Sequence, residues 1–437
     1  MKPALQNAGG SKRLLILCTT TGYQTHAFVK AAEKLGLSVV FGTDRCHVLD
    51  DPWQDGALPL RFEDAEASAR QIVEYARGSS VDAIVALGDR PTPTAARAAK
   101  VLGLPHHPPH AADICRDKYL SRERLRAAGL NVPAFIRLPL DSDPREAARA
   151  SAIQFPCVLK PLALSASRGV IRADTPVEFA SAFERIGEIL RSAEVRVMHE
   201  ETSGFIQVES YIEGREIAIE GVMEHGRLQV LAIFDKCDPL AGPFFEETIY
   251  VTPSRLSSAL QASATENLER AARALGLFHG PLHAELRLNS EGIWILEVAA
   301  RSIGGLCSRA LRFRSPALGN VISLEELIIR LALAEEVQHF RREEAASGVM
   351  MIPIPQAGIL EQVEGVDEAR ETQGVEDIRI TAKPSQELIP LPEGSSYLGF
   401  IFARGATPEF VEEGLRQAHR KLRFIIQPAL PVLKNSE

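Results

Sequence analysis

Residues 283–305 read HAELRLNSEGIWILEVAARSIGG, and the fold turns on this stretch. From Ala284 to Leu288 apolar and polar residues alternate, the period-2 pattern of a strand with one dry face. Ser290, Glu291 and Gly292 read as a hairpin loop, and 293–298 as the returning strand. A three-residue loop pairs Asn289 with Ile293 and sets Glu285 directly opposite Glu297. In that register Leu286, Trp294 and Leu296 cover one face, while Ile295 joins the acids on the other. Like charges opposed across a ladder cost stability. Two carboxylates held there share either a proton or a cation. Oxygen-only ligands suit Mg2+ (or Mn2+), which keeps waters and completes its shell from substrate phosphates.

Cationic groups lie upstream. Lys160 ends the buried strand FPCVLKPL, just before the small-residue loop SASRGV. Ser165, Ser167, Gly169 and Val170 leave backbone N–H groups open to an anion, and Arg168 adds a fork of donors. Further on, VESYIEGREIAIEG passes from a strand into an extended linker. The backbone edge of Ser210, Tyr211 and Ile212 there can read a purine beside Glu209, and Glu216 can accept ribose hydroxyls.

The 437 residues are 45% hydrophobic and 24% charged with a net charge of −8, which suits a soluble multidomain protein and not a nucleic-acid binder. No stretch is long and apolar enough for a membrane span or a signal peptide, and six scattered cysteines lack CxxC spacing. These features argue for a cytoplasmic protein with reduced thiols.

Helices and strands alternate over residues 10–108, which predicts a parallel, doubly wound α/β sheet. Its first loop, Thr19–Gly22, lacks GxGxxG, so the unit reads as a scaffold. HHPPH at 106–110 reads as a proline-broken linker and not a metal site, because no spaced partner accompanies it. Asp113 is placed to cap a helix running to Gly129, and 204–236 reads as one meander of strands. Residues 348–437 read as a separate α+β module. The expected domains are thus 1–108, 109–345 (subdomains 109–208 and 209–345) and 346–437.

Lys118, Lys160, the loop 165–169, VESYIEG, Glu285 and EVAAR stand in an order and spacing that resemble the ATP-grasp superfamily over residues 10–345. The resemblance implies two α+β subdomains gripping ATP, after an N-terminal pre-ATP-grasp domain. It assigns Lys118 and Lys160 to the phosphates, 165–170 to a mobile loop over them, and Glu209, Ser210, Tyr211 and Ile212 to adenine. It assigns Glu216 to the ribose and Glu285 and Glu297 to Mg2+. One position departs from the pattern: Ala299 stands where the family's metal motif has Asn. GPFFEETIYVTPSRLS, EVAARSIGG and the last 90 residues resemble the L-amino acid ligase (dipeptide synthetase) branch. This implies a carboxylate–amine ligase acting on small molecules through an acyl phosphate. Glu247 would lie near metal and amine, Arg301 on the acyl phosphate, and a homodimer is compatible. The branch often has His where Tyr250 stands. The rival readings are a biotin carboxylase-like or formyl-phosphate-type enzyme, or a non-catalytic MgATP-binding module.

Overall fold

The computed structural model describes residues 11–19, 24–44, 57–150, 153–316 and 319–428. The first residues of the predicted opening helix, most of the Thr19–Gly22 loop and Cys46 lie outside these.

The N-terminal unit is a parallel sheet in the order Leu58–Pro59, Ser38–Thr43, Arg13–Cys18, Ala83–Leu87. Its central strand is apolar on both faces, as parallel strands covered by helices must be: Leu14 and Ile16 face one core, Leu15 and Leu17 another. The predicted α/β scaffold is therefore present.

HHPPH is more than a connection. His107 is buried, its Nε2 meeting the Pro281 carbonyl at 2.9 Å while its Nδ1 accepts from the Phe278 N–H at 3.1 Å. The segment thereby pins the N-terminal unit to the start of strand Gly280–Asn289. The predicted long helix is in fact two, Pro109–Arg116 and Lys118–Ala127. Asp113 lies inside the first and pairs with Arg97, so it caps nothing. The cap is Asp117, whose carboxylate accepts from the N–H groups of Tyr119 and Leu120. This break places Lys118 in the first turn of the second helix.

The meander expected over 204–236 divides between two sheets. Phe205–Ser210 pairs with Phe135–Pro139 and Cys157–Pro161 in a four-stranded antiparallel sheet that also holds Ile171–Ala173. Arg215–Glu224 and Arg227–Lys236 belong to an eight-stranded antiparallel sheet. Residues 211–214 connect them, which makes the expected linker a link between sheets.

The larger sheet runs Gly292–Ala299, Gly280–Asn289, Arg215–Glu224, Arg227–Lys236, Ile249–Thr252, Ala346–Ile352, Gly399–Gly405, Val375–Ile380. The boundary expected at 345/346 thus falls between elements of one sheet, because Ile249–Thr252 pairs residue for residue with Ser347–Met350. The C-terminal part shares this sheet with the central part. One core packs Ile249 and Val251 with Met350, Leu360, Ile401 and Leu415.

Among the described residues, no helix is long and apolar enough to cross a membrane. Cys115, Cys157, Cys237 and Cys307 are free thiols.

Candidate active site

Both faces of the large sheet carry apolar cores, but the charged side chains of its first strands gather on one of them. Ile217, Ile219, Ala284, Leu286, Ile295 and Val298 pack with Ala264, Leu268 and Ala272 of the helix Ser258–Leu275. Alternation then sends Glu216, Glu220, Lys236, His283, Glu285, Arg287 and Glu297 to the opposite face. The register puts Glu285 opposite Glu297, as expected, but by a different route. The loop has two residues, since Asn289 pairs with Gly292 and not Ile293. A bulge at Leu296 adds back the missing residue, so the ladder slips once and the two acids meet again. The bulge also exchanges the faces of 293–295. Ile295 is fully buried in the apolar core, and Trp294 stands on the acid side opposite Arg287.

The acids converge. Ligand atoms of Glu216, Glu247 and Glu285 all lie within 4.8 Å of one another. Lys236, which the sequence reading missed, stands among them: its Nζ is 2.6 Å from Glu216, 2.5 Å from Glu247 and 3.2 Å from Glu285. Glu216 also receives both Nε and Nη2 of Arg287. Glu216 is thus held within the cluster by two cations. Burial pushes Lys236 down, but Glu216, Glu247 and Glu285 outweigh it and hold the ammonium well above its ordinary value. Glu247 stays ionised, because Lys236 outweighs its burial. Burial raises Glu285 against the pull of Lys236, and neighbouring Glu247, Glu216 and Glu297 raise it further. Lys236 and Arg287 offset two of the three carboxylates, and crowding pushes the third, Glu285, toward its neutral form. A divalent cation such as Mg2+ or Mn2+ suits this all-oxygen donor set and would hold Glu285 ionised. Ala299 is buried opposite His283. The carbonyl oxygen that Asn would offer there is absent, while Glu247 brings a third carboxylate.

The cationic wall is built by the smaller sheet. Cys157, Leu159, Ile206 and Val208 fill its core, which leaves Lys160, Gln207 and Glu209 on the other face. Lys160 Nζ sits 2.7 Å from Glu209, and Arg122 Nε is also at 2.7 Å. Burial raises Glu209, but Arg122 and Lys160 together bring it down to about 2. Glu209 thus orients Lys160. Ser210 Oγ accepts from the Ala134 N–H at 3.0 Å, Tyr211 N–H donates to Pro156, and the Ile212 carbonyl accepts from Arg287. Tyr211 presents its ring to Arg172 at 4.2 Å.

Lys118 Nζ donates to the Leu164 carbonyl at 2.7 Å, at the entry to the small-residue loop. There Ala166, Ser167 and Gly169 hold φ of 55°, 56° and 72°, a left-handed run that needs small residues. Val170 N–H closes the turn on the Ser167 carbonyl, and Arg168 N–H on Ser165. The Arg168 guanidinium is engaged by Glu194 at 3.2 and 3.0 Å and does not lie open to the loop.

Arg301 reaches back to the N-terminal unit, its Nε 2.8 Å from Asp89 at the end of strand Ala83–Leu87. Burial raises Asp89, but Arg301 outweighs it and the acid stays ionised. Glu220, fully buried, accepts from the Ile303 N–H and meets His283 Nδ1 at 3.1 Å. The loop 301–305 is therefore held from below by Glu220 and from the side by Asp89. Arg122, Glu220, Lys236 and Arg287 carried no motif. Glu220, Lys236 and Arg287 were signalled only by a charge at an inward position of a mostly apolar strand, and Arg122 lies in a helix so rich in charge that nothing set it apart.

The ATP-grasp domain family matches residues 153–310, the ATP-grasp N-terminal domain 29–106, and the L-amino acid ligase C-terminal domain 2 residues 350–427. The L-amino acid ligase from Bacillus licheniformis superposes with a TM-score of 0.78 at 27% identity, covering 95% of this chain and 99% of that one. The alanine–anticapsin ligase of Bacillus subtilis (strain 168) is 28% identical over 62% of this chain, which spans 60% of that protein's length. The y4rH protein of Sinorhizobium fredii is 23% identical over 95% of this chain and 84% of its own. The chain belongs to the ATP-grasp ligases, on the branch that carries the L-amino acid ligase C-terminal domain.

Proposed function

We propose that the protein joins a carboxylate to an amine, both from amino acids, at the expense of ATP. The observation that carries this reading is the set of Glu216, Glu247 and Glu285 around Lys236, beside Glu297 and joined through Arg122 and Glu209 to Lys160. Anionic oxygens bring a divalent cation, and cationic nitrogens receive phosphates. The substrate carboxylate oxygen attacks the γ-phosphorus while the bond to the β–γ bridging oxygen breaks, giving an acyl phosphate and ADP. The amine nitrogen then attacks the acyl carbon and phosphate leaves. Such chemistry needs charge neutralisation and alignment more than a protein nucleophile.

In this reading Lys118 and Lys160 hold the phosphates under the 165–170 loop, and Glu209 with 210–212 frames adenine. Glu285, Glu297 and Glu247 would hold Mg2+ or Mn2+, which supplies charge neutralisation at the transferring phosphoryl group. Glu247 also faces the amine. Arg301, steadied by Asp89, meets the acyl phosphate. Glu216 moves from the ribose role expected for it to orienting Lys236 and Arg287. Closure of the loop keeps water from the acyl phosphate.

The test is ADP release across pairs of amino acids, with mass spectrometry of the product. A dipeptide mass appearing in step with ADP is expected. Turnover stimulated by bicarbonate, and by no amino acid, would overturn the reading.

A further inference from the structure

The phosphate loop is not held by its own subdomain alone. Gly169 N–H donates to the carbonyl of Pro392 at 2.9 Å, in the 390–394 turn of the C-terminal part. Gly169 is left-handed, and a Cβ there would meet Pro161 at 3.0 Å, so this N–H is presented by a residue that has to be glycine. Beside it, Arg185 of helix Pro176–Arg191 clasps Glu393 at 2.5 and 2.9 Å. The same guanidinium lies 5.1 Å over the Phe244 ring. Strand Ile171–Ala173, which follows the loop, bridges to Phe244 through Ile171. Arg172 donates its N–H to Pro243 at 2.9 Å and its Nη1 to Ala241 at 2.7 Å. Phe244 stands three residues before Glu247.

The loop over the phosphates is thus stitched to two segments that serve the other half of the reaction: 241–244, which leads to Glu247, and the 390–394 turn. The geometry points to Arg185 and Glu393 as positioning residues that latch the phosphate loop onto the C-terminal part. The loop then seals only when the amine side of the site is assembled. This rests on the ligase reading and deepens it. Phosphoryl transfer is tied to the presence of the acceptor's binding elements, which limits hydrolysis of the acyl phosphate. Both charged side chains are about two-fifths exposed, at 43% and 39%. Such a pair is weak, as suits a latch that must open for product release in every turnover.

Two variants test it, Glu393→Ala and Gly394→Ala. In the second, the added Cβ would lie 1.8 Å from the Ile389 carbonyl oxygen and so distort the turn that presents Pro392. The first readout needs no turnover: the rate of tryptic cleavage after Arg168 with Mg2+ and a non-hydrolysable ATP analogue. The second is the ratio of phosphate released to amide formed, with the KM for ATP and kcat measured separately. Glu393→Ala should speed cleavage roughly two- to fivefold, raise the phosphate-to-amide ratio and raise the KM for ATP more than it lowers kcat. Gly394→Ala should do so more strongly. The exchanged pair Arg185→Glu with Glu393→Arg should restore the wild-type ratio. Unchanged cleavage and ratio in both Glu393→Ala and Gly394→Ala would overturn the latch. Absence of amide from every amino-acid pair would sink the ligase reading instead, and the cleavage assay would still decide the latch.

Discussion

The guanidinium of Arg122 donates to the carbonyl of Leu296, and Leu296 is the bulged residue that brings Glu297 opposite Glu285. The other side of the same guanidinium holds Glu209, and Glu209 holds Lys160. One buried arginine therefore joins the cationic wall to the acidic one. Arg122→Met removes both contacts and leaves a buried carboxylate with Lys160 as its single cation. The expected loss is about 3 kcal/mol of stability, with weaker Mn2+ binding through the displaced Glu297. Thermal melts and Mn2+ titration check the two effects separately.

Glu297→Gln keeps the shape of the hairpin and removes one anionic oxygen. ATP turnover should fall roughly 100-fold or more with the melting temperature unchanged or raised. Retained ADP release would remove Glu297 from the metal set.

Lys236→Met leaves Glu247 and Glu285 without their internal cation and Glu216 with Arg287 alone. The variant should lose about 3 kcal/mol in metal-free buffer, since breaking a buried pair strands its partners. Mg2+ should then stabilise it more than it stabilises the wild type. An equal Mg2+ shift in both proteins would mean the metal binds elsewhere.

His106 and His107 set an acid limit. Burial lowers both below the usual 6.5, to about 4 and about 3. The unfolded chain thus binds more protons than the native one between about pH 6.5 and 4. Stability therefore falls as pH drops through that window, by about 1.4 kcal/mol per pH unit for each histidine. His107→Ala should lower stability at neutral pH yet flatten the pH dependence. A profile as steep as the wild type's would show that other groups carry it.

A chain ending at residue 345 would lose strand Ala346–Ile352 and expose the full edge of Ile249–Thr252. It should aggregate or fail to melt cooperatively. A monodisperse 1–345 fragment with wild-type MgATP binding would show the two parts to be independent.

Period-2 alternation in 284–288 sufficed to put Glu285 and its neighbours on the charged face. Lys160, the small-residue loop and the linker were legible for a similar reason, since a charged or glycine-rich interruption of an apolar run has few structural uses. The α/β scaffold followed from alternating strand and helix patterns. Lys236 and Arg287 were not legible as site residues, because a charge in a strand reads the same whether it meets water or three carboxylates. Local pattern by itself thus determined which residue faces which side of its own strand, a property set by backbone geometry a few residues long. It could not set the register of the hairpin: the loop is one residue shorter than expected, and a bulge held by Arg122, some 170 residues upstream, compensates. Nor could it show that the C-terminal part completes the central sheet. Strand pairing, bulges and ion-pair partners are chosen by groups far apart in the chain, and only the packed structure brings them within hydrogen-bonding distance.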